Sequence, residues 1–181
     1  PYLRTGVFEL ARNRIPWLLI LMFTSILSGA ILMDYREAIQ VLPLLLSFVP
    51  MLMDASGNCG NQSSTMVIRG MAVGDIELKD VLRVVWKEFR VGLLCGAVLA
   101  VANFIRLILQ YPDRQALNLV IVLSLMLAIV LAKIIGCVLP MLAEKMKLDP
   151  AIMAAPLITT IVDASSLLIY FKIASMLLHL S

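Results

Sequence analysis

The sequence has little charge for its length. Of its 181 residues, 15% are charged, whereas about 25% are charged in typical soluble domains. Hydrophobic residues make up 61% of the chain, against roughly 45–50% in soluble proteins. A chain of this size cannot hide so much apolar surface in a soluble core. The composition therefore excludes a soluble globular protein and predicts an integral membrane protein.

Further absences exclude several kinds of function. The single histidine, His179, lies near the C-terminus, and Cys59, Cys95 and Cys137 show no CxxC spacing. Neither a zinc site nor a disulfide framework is therefore predicted. No basic stripe with interleaved aromatic residues is present, which argues against nucleic-acid binding. The phosphate-binding pattern GxxxxGKS/T is also missing, so the chain encodes no ATP-driven pump.

Five apolar segments reach the roughly 20 residues that a membrane-spanning helix needs. The predicted spans are 15–33, 38–68, 89–109, 117–142 and 150–178. The predicted fold class is therefore all-α, with five transmembrane helices. The connection at 69–88 is charged, and its later part has the spacing of an amphipathic helix that leads into the third span. A solvated loop helix is the alternative interpretation.

The N-terminal residues 1–14 are too polar to span a membrane. Val7, Phe8 and Leu10 lie between basic residues, which predicts an amphipathic helix at the inner membrane surface. We interpret 1–14 as the end of a linker from a cytoplasmic domain, and 15–181 as the transmembrane pore domain. The chain begins at Pro1 rather than Met, so we expect it to be part of a longer protein.

The distribution of Lys and Arg predicts the orientation. Ten of these residues lie in the N-terminal stretch and in the connections at 69–90 and 143–149, whereas four lie on the opposite side. Because cytoplasmic loops carry an excess of basic residues, the N-terminus is predicted to face the cytoplasm and the C-terminus the outside. The expected location is the inner or plasma membrane.

A polar run, DASGNCGNQ, interrupts the second predicted span at residues 54–62. Polar or irregular backbone at this depth persists only where it is buried in protein or lines a water-filled cavity. Asn58, Asn61 and Gln62 each bring a carbonyl that can face a hydrated cation, and Asp54 adds a carboxylate. The run therefore predicts a pore lining.

Asp163 lies close to the middle of the fifth predicted span. A charged group at that depth costs at least about 2.5 kcal/mol, so it needs a partner or a function. Thr159, Thr160 and Ser166 lie three or four residues away, on the same helical face. Together they predict a polar stripe along this helix, on which Thr160 and Ser166 are expected to line the pore.

Lys133 is the basic residue within the predicted spans that is best placed to balance an acid. An ion pair with Asp54 or with Asp163 is one interpretation, and snorkelling of the lysine towards the inner surface is another. At least one acid then has no cationic partner in the chain. A cation from the solvent is the simplest remaining partner.

The available ligands are oxygen atoms of carboxylates, amides, hydroxyls and backbone. Such sites favour magnesium, calcium, manganese or alkali ions over zinc and copper. Magnesium keeps several of its waters and touches only one or two carboxylates. The few acids and the neighbouring amides therefore fit a hydrated ion better than a dehydrated calcium site.

Three stretches carry a resemblance to a known family. PMLMDASGNCGNQSSTMVIRGMAVG (50–74), AEKMKLDPAIMAAPLITTIVD (143–163) and the continuing SSLLIYF resemble the membrane domain of the MgtE-type magnesium channels and transporters. The resemblance implies a homodimer with a two-fold axis and a pore between protomers, lined by the second and fifth helices. It also implies cytoplasmic regulatory domains that are absent from this sequence.

The resemblance assigns roles to individual residues. The acid of the pattern T-T-x-x-D is the central magnesium ligand of the family and falls on Asp163, with the backbone carbonyl one turn earlier at Thr159. The polar pattern of the second helix falls on Asn58, Gly60, Asn61 and Gln62. Two small-for-small departures, at Ser56 and at the serines after Asp163, affect expected selectivity more than the fold.

The predicted function is a magnesium-selective channel or transporter that moves hydrated Mg²⁺ into the cytoplasm down its electrochemical gradient. Mn²⁺, Co²⁺ and Ca²⁺ are further candidate ions. A carrier coupled to Na⁺ or H⁺ on the same scaffold is the alternative, with Asp54 as the coupling site. A metal-dependent lipid enzyme would need the acids of 75–80, which more often form a solvated face, so no enzymatic activity is predicted. A structural subunit, packed through Gly57 and Gly60, leaves Asp163 unexplained.

Overall fold

The computed structural model describes residues 5–148 and 150–179, with the backbone alone for 151–156. This part of the chain is helical and contains no β-strand. Its α-helices are α1 (Val7–Thr24), α2 (Ile26–Asp34), α3 (Arg36–Val41), α4 (Val49–Ala72), α5 (Val81–Gln110), α6 (Gln115–Lys145) and α7 (Pro150–Leu178). The predicted all-α class is confirmed for these residues.

Four helical segments of the described chain are long and apolar enough to cross a membrane. They are Val7–Asp34, Leu78–Gln110, Gln115–Lys145 and Leu157–Leu178. These segments match the first, third, fourth and fifth predicted spans. With 24 residues, α4 is about 36 Å long at ~1.5 Å per residue, but its polar residues keep it out of this group. The count of five spans therefore stays a prediction, with α4 as the additional crossing.

The second predicted span, 38–68, is broken rather than continuous. A 3₁₀ helix at Pro43–Phe48 separates α3 from α4. Pro43 and Pro50 explain the interruption, because each lacks the amide donor that a continuous helix requires. Both prolines lie in the first turn of the helix that they begin, where no such donor is needed.

The first helix begins earlier than the first predicted span. It starts at Val7 and runs without interruption through residue 14, so the predicted division between linker end and pore domain falls inside α1. Residues 1–4 of the predicted linker end lie outside the described residues. Only Ser25 separates α1 from α2, and the hydroxyls of Thr24 and Ser25 each donate a hydrogen bond to the carbonyl three residues earlier. Such bonds bend helices.

The charged connection between α4 and α5 is short. α4 continues to Ala72, and Gly74 turns the chain with a φ of +79°. A 3₁₀ turn at Leu78–Asp80 follows, held by reciprocal bonds between the side chains and backbone amides of Glu77 and Asp80. The predicted amphipathic segment is therefore mainly the first part of α5 and is continuous with the third span.

The helix α6 lies at the centre of the packing. It contacts α4, α5 and α7, and α4 also contacts α7. Small and apolar residues occur on most faces of α6, which lets three helices surround it. Its buried residues include Val120, Ile121, Leu125, Ile129, Ala132 and Gly136. Lys133 is also buried, although it carries a charge.

Aromatic residues of α7 attach the broken region to this centre. The Tyr170 hydroxyl donates a hydrogen bond to the carbonyl oxygen of Leu45 in the 3₁₀ helix, at 3.0 Å. The neighbouring Phe171 stacks on Tyr35, with 5.1 Å between ring centroids. These contacts fix the start of α4 relative to α7, and thereby the surface that the two helices share.

Candidate functional site

The helix α4 has two faces of different character. Its buried face carries small residues: Ser56, Gly57, Cys59, Gly60, Ser63 and Ser64. Its other face carries Asp54, Asn58, Asn61, Gln62 and Thr65, which are exposed or half-buried within the described chain. The spacing of three and four residues keeps each set on one side of the helix. An amphipathic helix thus results, although its polar face is made largely of amides rather than charges.

A groove of about 450 Å³ runs between α4 and α7. We call it the α4–α7 groove. Its lining residues are Val49, Pro50, Met53, Asp54, Gly57, Asn58, Asn61, Thr159 and Asp163. The structure therefore brings together five of the residues that the sequence nominated. They come from two segments about a hundred residues apart in sequence, joined here by the contact between α4 and α7.

Asp163 faces the α4 backbone at Gly57. A Cβ atom placed on Gly57 would lie 3.9 Å from Oδ1 of Asp163, so the absence of a side chain leaves room beside the carboxylate. Within the described residues, neither Asp163 nor Asp54 forms an ion pair with a basic side chain. Both carboxylates of the groove therefore lack a cationic partner among the described residues.

A second cavity, of about 630 Å³, adjoins the groove. It is lined by Asn58, Asn61, Gln62, Thr65 and Met66. Because Asn58 and Asn61 line both cavities, the polar surface continues along α4 towards its C-terminal end. Gln62 thus belongs to the extension of the groove rather than to the part beside Asp163.

Asn61 has an unsatisfied polar atom at the centre of this surface. Its Oδ1 is buried and accepts no hydrogen bond from the described residues. A buried acceptor without a partner costs about 1–3 kcal/mol. Water or a hydrated ion in the groove supplies the kind of donor that this oxygen requires.

Three of the predicted pore-lining residues line neither the α4–α7 groove nor the second cavity. Gly60 is buried, and a Cβ atom there would lie 3.0 Å from Ile158 and 3.2 Å from the carbonyl oxygen of Ala132. Ser166 is buried, and its Oγ lies 2.8 Å from Oγ of Ser56. The hydroxyl of Thr160 lies 3.4 Å from that of Thr24 in α1.

The ligands of the groove fit a hydrated cation better than a directly bound one. Among the described residues, no three His, Cys, Asp or Glu side chains cluster as a metal-binding group would require. The groove instead offers two carboxylates and the amides of Asn58 and Asn61. Such groups bind Mg²⁺ through the water molecules that this ion releases reluctantly.

Lys133 pairs with neither acid of the groove, which corrects the first of the two sequence-based interpretations. Its Nζ lies 3.9 Å from Oε2 of Glu88 on α5 and donates a hydrogen bond to Oγ of Ser63 on α4 at 3.3 Å. The Ser63 hydroxyl in turn donates a short hydrogen bond to the same Glu88 oxygen. We call these three residues the Lys133 network.

Sequence reasoning missed Glu88 because it placed the residue at the end of the charged connection, just before the third span. The available signal was the helical spacing of the segment, which already suggested that the charged residues continue into the span. With Lys133 paired to Glu88, the acids of the groove have no competing internal cation among the described residues. The pairing thus strengthens the interpretation of the groove as a cation site.

Comparisons with known proteins agree with this geometry. The family model described as MgtE, divalent cation transporter, matches residues 49–173. A magnesium transporter MgtE of Bacillus subtilis is 37% identical over 97% of the chain, and one of Thermus thermophilus is 37% identical over 98%. One of Enterococcus faecalis is 32% identical over 93%. The chain spans 39%, 39% and 37% of the lengths of these relatives, respectively.

Proposed function

The chain belongs to the MgtE family of divalent cation transporters, and we propose that it forms the ion-conducting part of a magnesium transporter. The observation that carries the proposal is the α4–α7 groove. In it, Asp163 and Asp54 lie without a basic partner among the described residues, beside the amides of Asn58 and Asn61. Proteins of this family are named as transporters, which supports a transport role for the chain.

The proposed path follows the polar face of α4. Hydrated Mg²⁺ enters the groove, is held near Asp163 through its water shell, and moves along Asn58, Asn61 and Gln62 to the second cavity. Two charges moving inward across an inside-negative membrane gain about 4.6 kcal/mol per 100 mV, twice the value for one charge. The membrane potential can therefore drive Mg²⁺ uptake without ATP hydrolysis or another chemical energy source.

We propose that a second copy of the chain completes the pore. The polar face of α4 is open to the outside of the single chain, and lipid cannot satisfy its amides and carboxylates. Two copies related by a two-fold axis would enclose the face and place two Asp163 carboxylates around one ion. This arrangement needs α4 to cross the membrane as a fifth span. The distribution of Lys and Arg favours a cytoplasmic N-terminus.

The first experiment measures Mg²⁺ influx into proteoliposomes with a fluorescent Mg²⁺ indicator inside. The wild type is compared with Asp163→Asn and Asp163→Ala, and with the control Asp113→Asn, which neutralises an exposed acid outside the groove. We expect both Asp163 variants to reduce influx to the level of empty liposomes and the control to conduct normally. Undiminished influx in both Asp163 variants would remove Asp163 from the ion path.

The same preparation separates passive from coupled transport. A Na⁺ or pH gradient is imposed while the voltage is fixed with K⁺ and an ionophore. A passive pore predicts an influx that depends on voltage and Mg²⁺ alone. An influx that follows the Na⁺ or H⁺ gradient, and loses this dependence in Asp54→Asn, would instead establish a coupled carrier.

A further inference from the structure

The Lys133 network lies where three helices meet. Ser63 of α4, Glu88 of α5 and Lys133 of α6 converge there, and the side chains of Lys133 and Glu88 are 6% and 16% exposed. The hydroxyl of Ser63 serves both partners, since it accepts from Lys133 and donates to Glu88. The charges of two helices are thereby connected through a single residue of α4.

Close backbone contacts surround the network. A Cβ atom on Gly136 of α6 would lie 2.2 Å from the carbonyl oxygen of Gly60, one turn before Ser63. A Cβ atom on Gly92 of α5 would lie 3.2 Å from Cα of Val130 and 3.7 Å from Cβ of Lys133. The helices therefore approach closely on both sides of Lys133, and the network supplies the directional bonds at this point.

Ser63 lies on the side of α4 that faces away from the groove. At ~3.6 residues per turn, Asp54 and Asn61 lie nearly opposite Ser63 around the helix. Bonds that hold Ser63 against α5 and α6 therefore hold the carboxylate and amide face towards the groove. A rotation of α4 that broke these bonds would also turn that face away from Asp163.

We propose that the Lys133 network is a positioning device that fixes the rotation of α4 and thereby the arrangement of its polar face in the groove. Its role in ion selection rests on the proposed function, whereas its effect on α4 does not. Ion pairs buried in proteins add little net stability compared with apolar packing, while their directional bonds are satisfied in only one arrangement of the three helices. Glu88, Lys133 and Ser63 are accordingly positioning residues without contact to the ion.

The test uses variants that avoid leaving one charge unpaired. The double variant Glu88→Gln/Lys133→Met removes both charges, and Ser63→Ala removes only the bridging hydroxyl. The matched control is Glu77→Gln/Lys79→Met, which removes an exposed pair with 2.7 Å between Nζ and Oε2. Should the double variant fail to fold, Ser63→Ala carries the test alone, because it leaves no new charge unpaired.

One readout reports the rotation of α4 without transport. In a Cys95→Ala/Cys137→Ala background, the buried Cys59 on α4 is the remaining thiol, and its reaction with a maleimide is followed by mass spectrometry. A companion protein carries Thr65→Cys together with Cys59→Ala and reports the exposed face. We expect the network variants to speed the labelling of Cys59 by about tenfold, as when a rare conformation becomes common, and to slow labelling of the thiol introduced by Thr65→Cys.

The second readout is the Mg²⁺ concentration for half-maximal influx and the preference for Mg²⁺ over Ca²⁺. We expect the double variant to keep the unfolding midpoint of the wild type. Its Mg²⁺ concentration for half-maximal influx should rise about three- to tenfold, and its preference for Mg²⁺ over Ca²⁺ should fall. A merely structural network predicts that a folded double variant matches the wild type in both parameters. That result, together with unchanged labelling, would overturn the proposal.

The remaining outcomes are also decisive. Reduced influx with unchanged labelling of both thiols would overturn the positioning role, since α4 would not have turned. If the wild type conducts no Mg²⁺, the proposed function fails, and the labelling alone decides whether the network fixes α4. The control Glu77→Gln/Lys79→Met must behave as the wild type in every assay before the positioning role of the Lys133 network is accepted.

Discussion

The α4–α7 groove and the Lys133 network treat charge in opposite ways, although α4 contributes to both. In the groove, Asp54 and Asp163 have no basic partner among the described residues and face an open space. In the network, Glu88 is paired with Lys133 and both side chains are largely buried. The charges between packed helices are thus paired with each other, whereas the carboxylates of the groove remain available to a cation from the solvent.

The small residues of α4 divide in the same way. Gly60 meets the backbone of α6, so its missing side chain permits close packing. Among the described residues, a Cβ atom on Gly57 would meet only the Asp163 carboxylate, so the missing side chain leaves room in the groove. Glycine in α4 therefore has two separate roles, close helix packing and open space in the groove. Four predictions separate these two roles and separate the groove from the Lys133 network.

The largest expected effect is on the free energy of unfolding. Removing the charge of Lys133 should lower it strongly, whereas removing the charge of Asp163 should not lower it. Lys133→Met leaves Glu88 buried without its cation and should lower the free energy of unfolding by about 3–5 kcal/mol. Asp163→Asn removes a charge that has no basic partner among the described residues, so stability should be unchanged or higher. Denaturant titration in detergent micelles measures both.

The control for this comparison is Lys79→Met, which breaks an exposed pair and should change stability by less than about 1 kcal/mol. If Asp163→Asn destabilised the protein as much as Lys133→Met, Asp163 would have an internal partner. The distinction between groove and network would then be lost.

The second prediction contrasts two glycines. Gly136→Ala places a Cβ atom 2.2 Å from the Gly60 carbonyl oxygen, and such overpacking should cost about 1–3 kcal/mol or more. Gly57→Ala meets only an ordinary contact at 3.9 Å, so it should retain stability but slow Mg²⁺ influx by narrowing the groove. Unfolding midpoints and proteoliposome influx are measured on the same preparations.

Gly29→Ala is the matched control, because no atom of the described residues lies within 4 Å of a Cβ placed there. Normal stability of Gly136→Ala would mean that α4 and α6 can separate at no cost. Normal influx in Gly57→Ala would mean that the space beside Asp163 is not used by the ion.

A smaller effect is expected from Asn61→Ala. Oδ1 of Asn61 has no partner among the described residues, so its removal should leave stability unchanged or slightly higher. If the atom bonds to the water shell of the ion, losing about 1 kcal/mol should raise the Mg²⁺ concentration for half-maximal influx about fivefold. Asn13→Ala makes the same chemical change on an exposed part of α1 and should alter neither parameter.

The smallest effect concerns Ser166, which the sequence nominated as pore-lining. Ser166→Ala removes the bond to Ser56, worth about 0.6 kcal/mol between membrane helices, while Ser56 keeps its bond to the Leu52 carbonyl at 2.6 Å. Influx should stay normal, as in the neighbouring control Ser165→Ala. A clear loss of influx in Ser166→Ala alone would return this residue to the ion path.

The sequence determined the helical class, most helix positions and the main residues of the groove. Period and hydropathy suffice for long apolar helices, and α7 begins and ends where the fifth span was predicted. Asp163 and the amides of α4 stood out in the sequence because polar groups are costly within a membrane. The break before α4 was less clear, since a proline indicates an interruption but not the helical form that follows.

Only the tertiary structure decided which polar residues meet. Spacing placed Ser166 and Gly60 on plausible faces, but packing against Ser56 and against α6 buries them away from the groove. Helix packing also brings Lys133 to Glu88 rather than to either acid of the groove. The physical reason is that spacing along one helix fixes the faces of that helix alone, whereas the partner of each face depends on how α4, α5, α6 and α7 pack around one another.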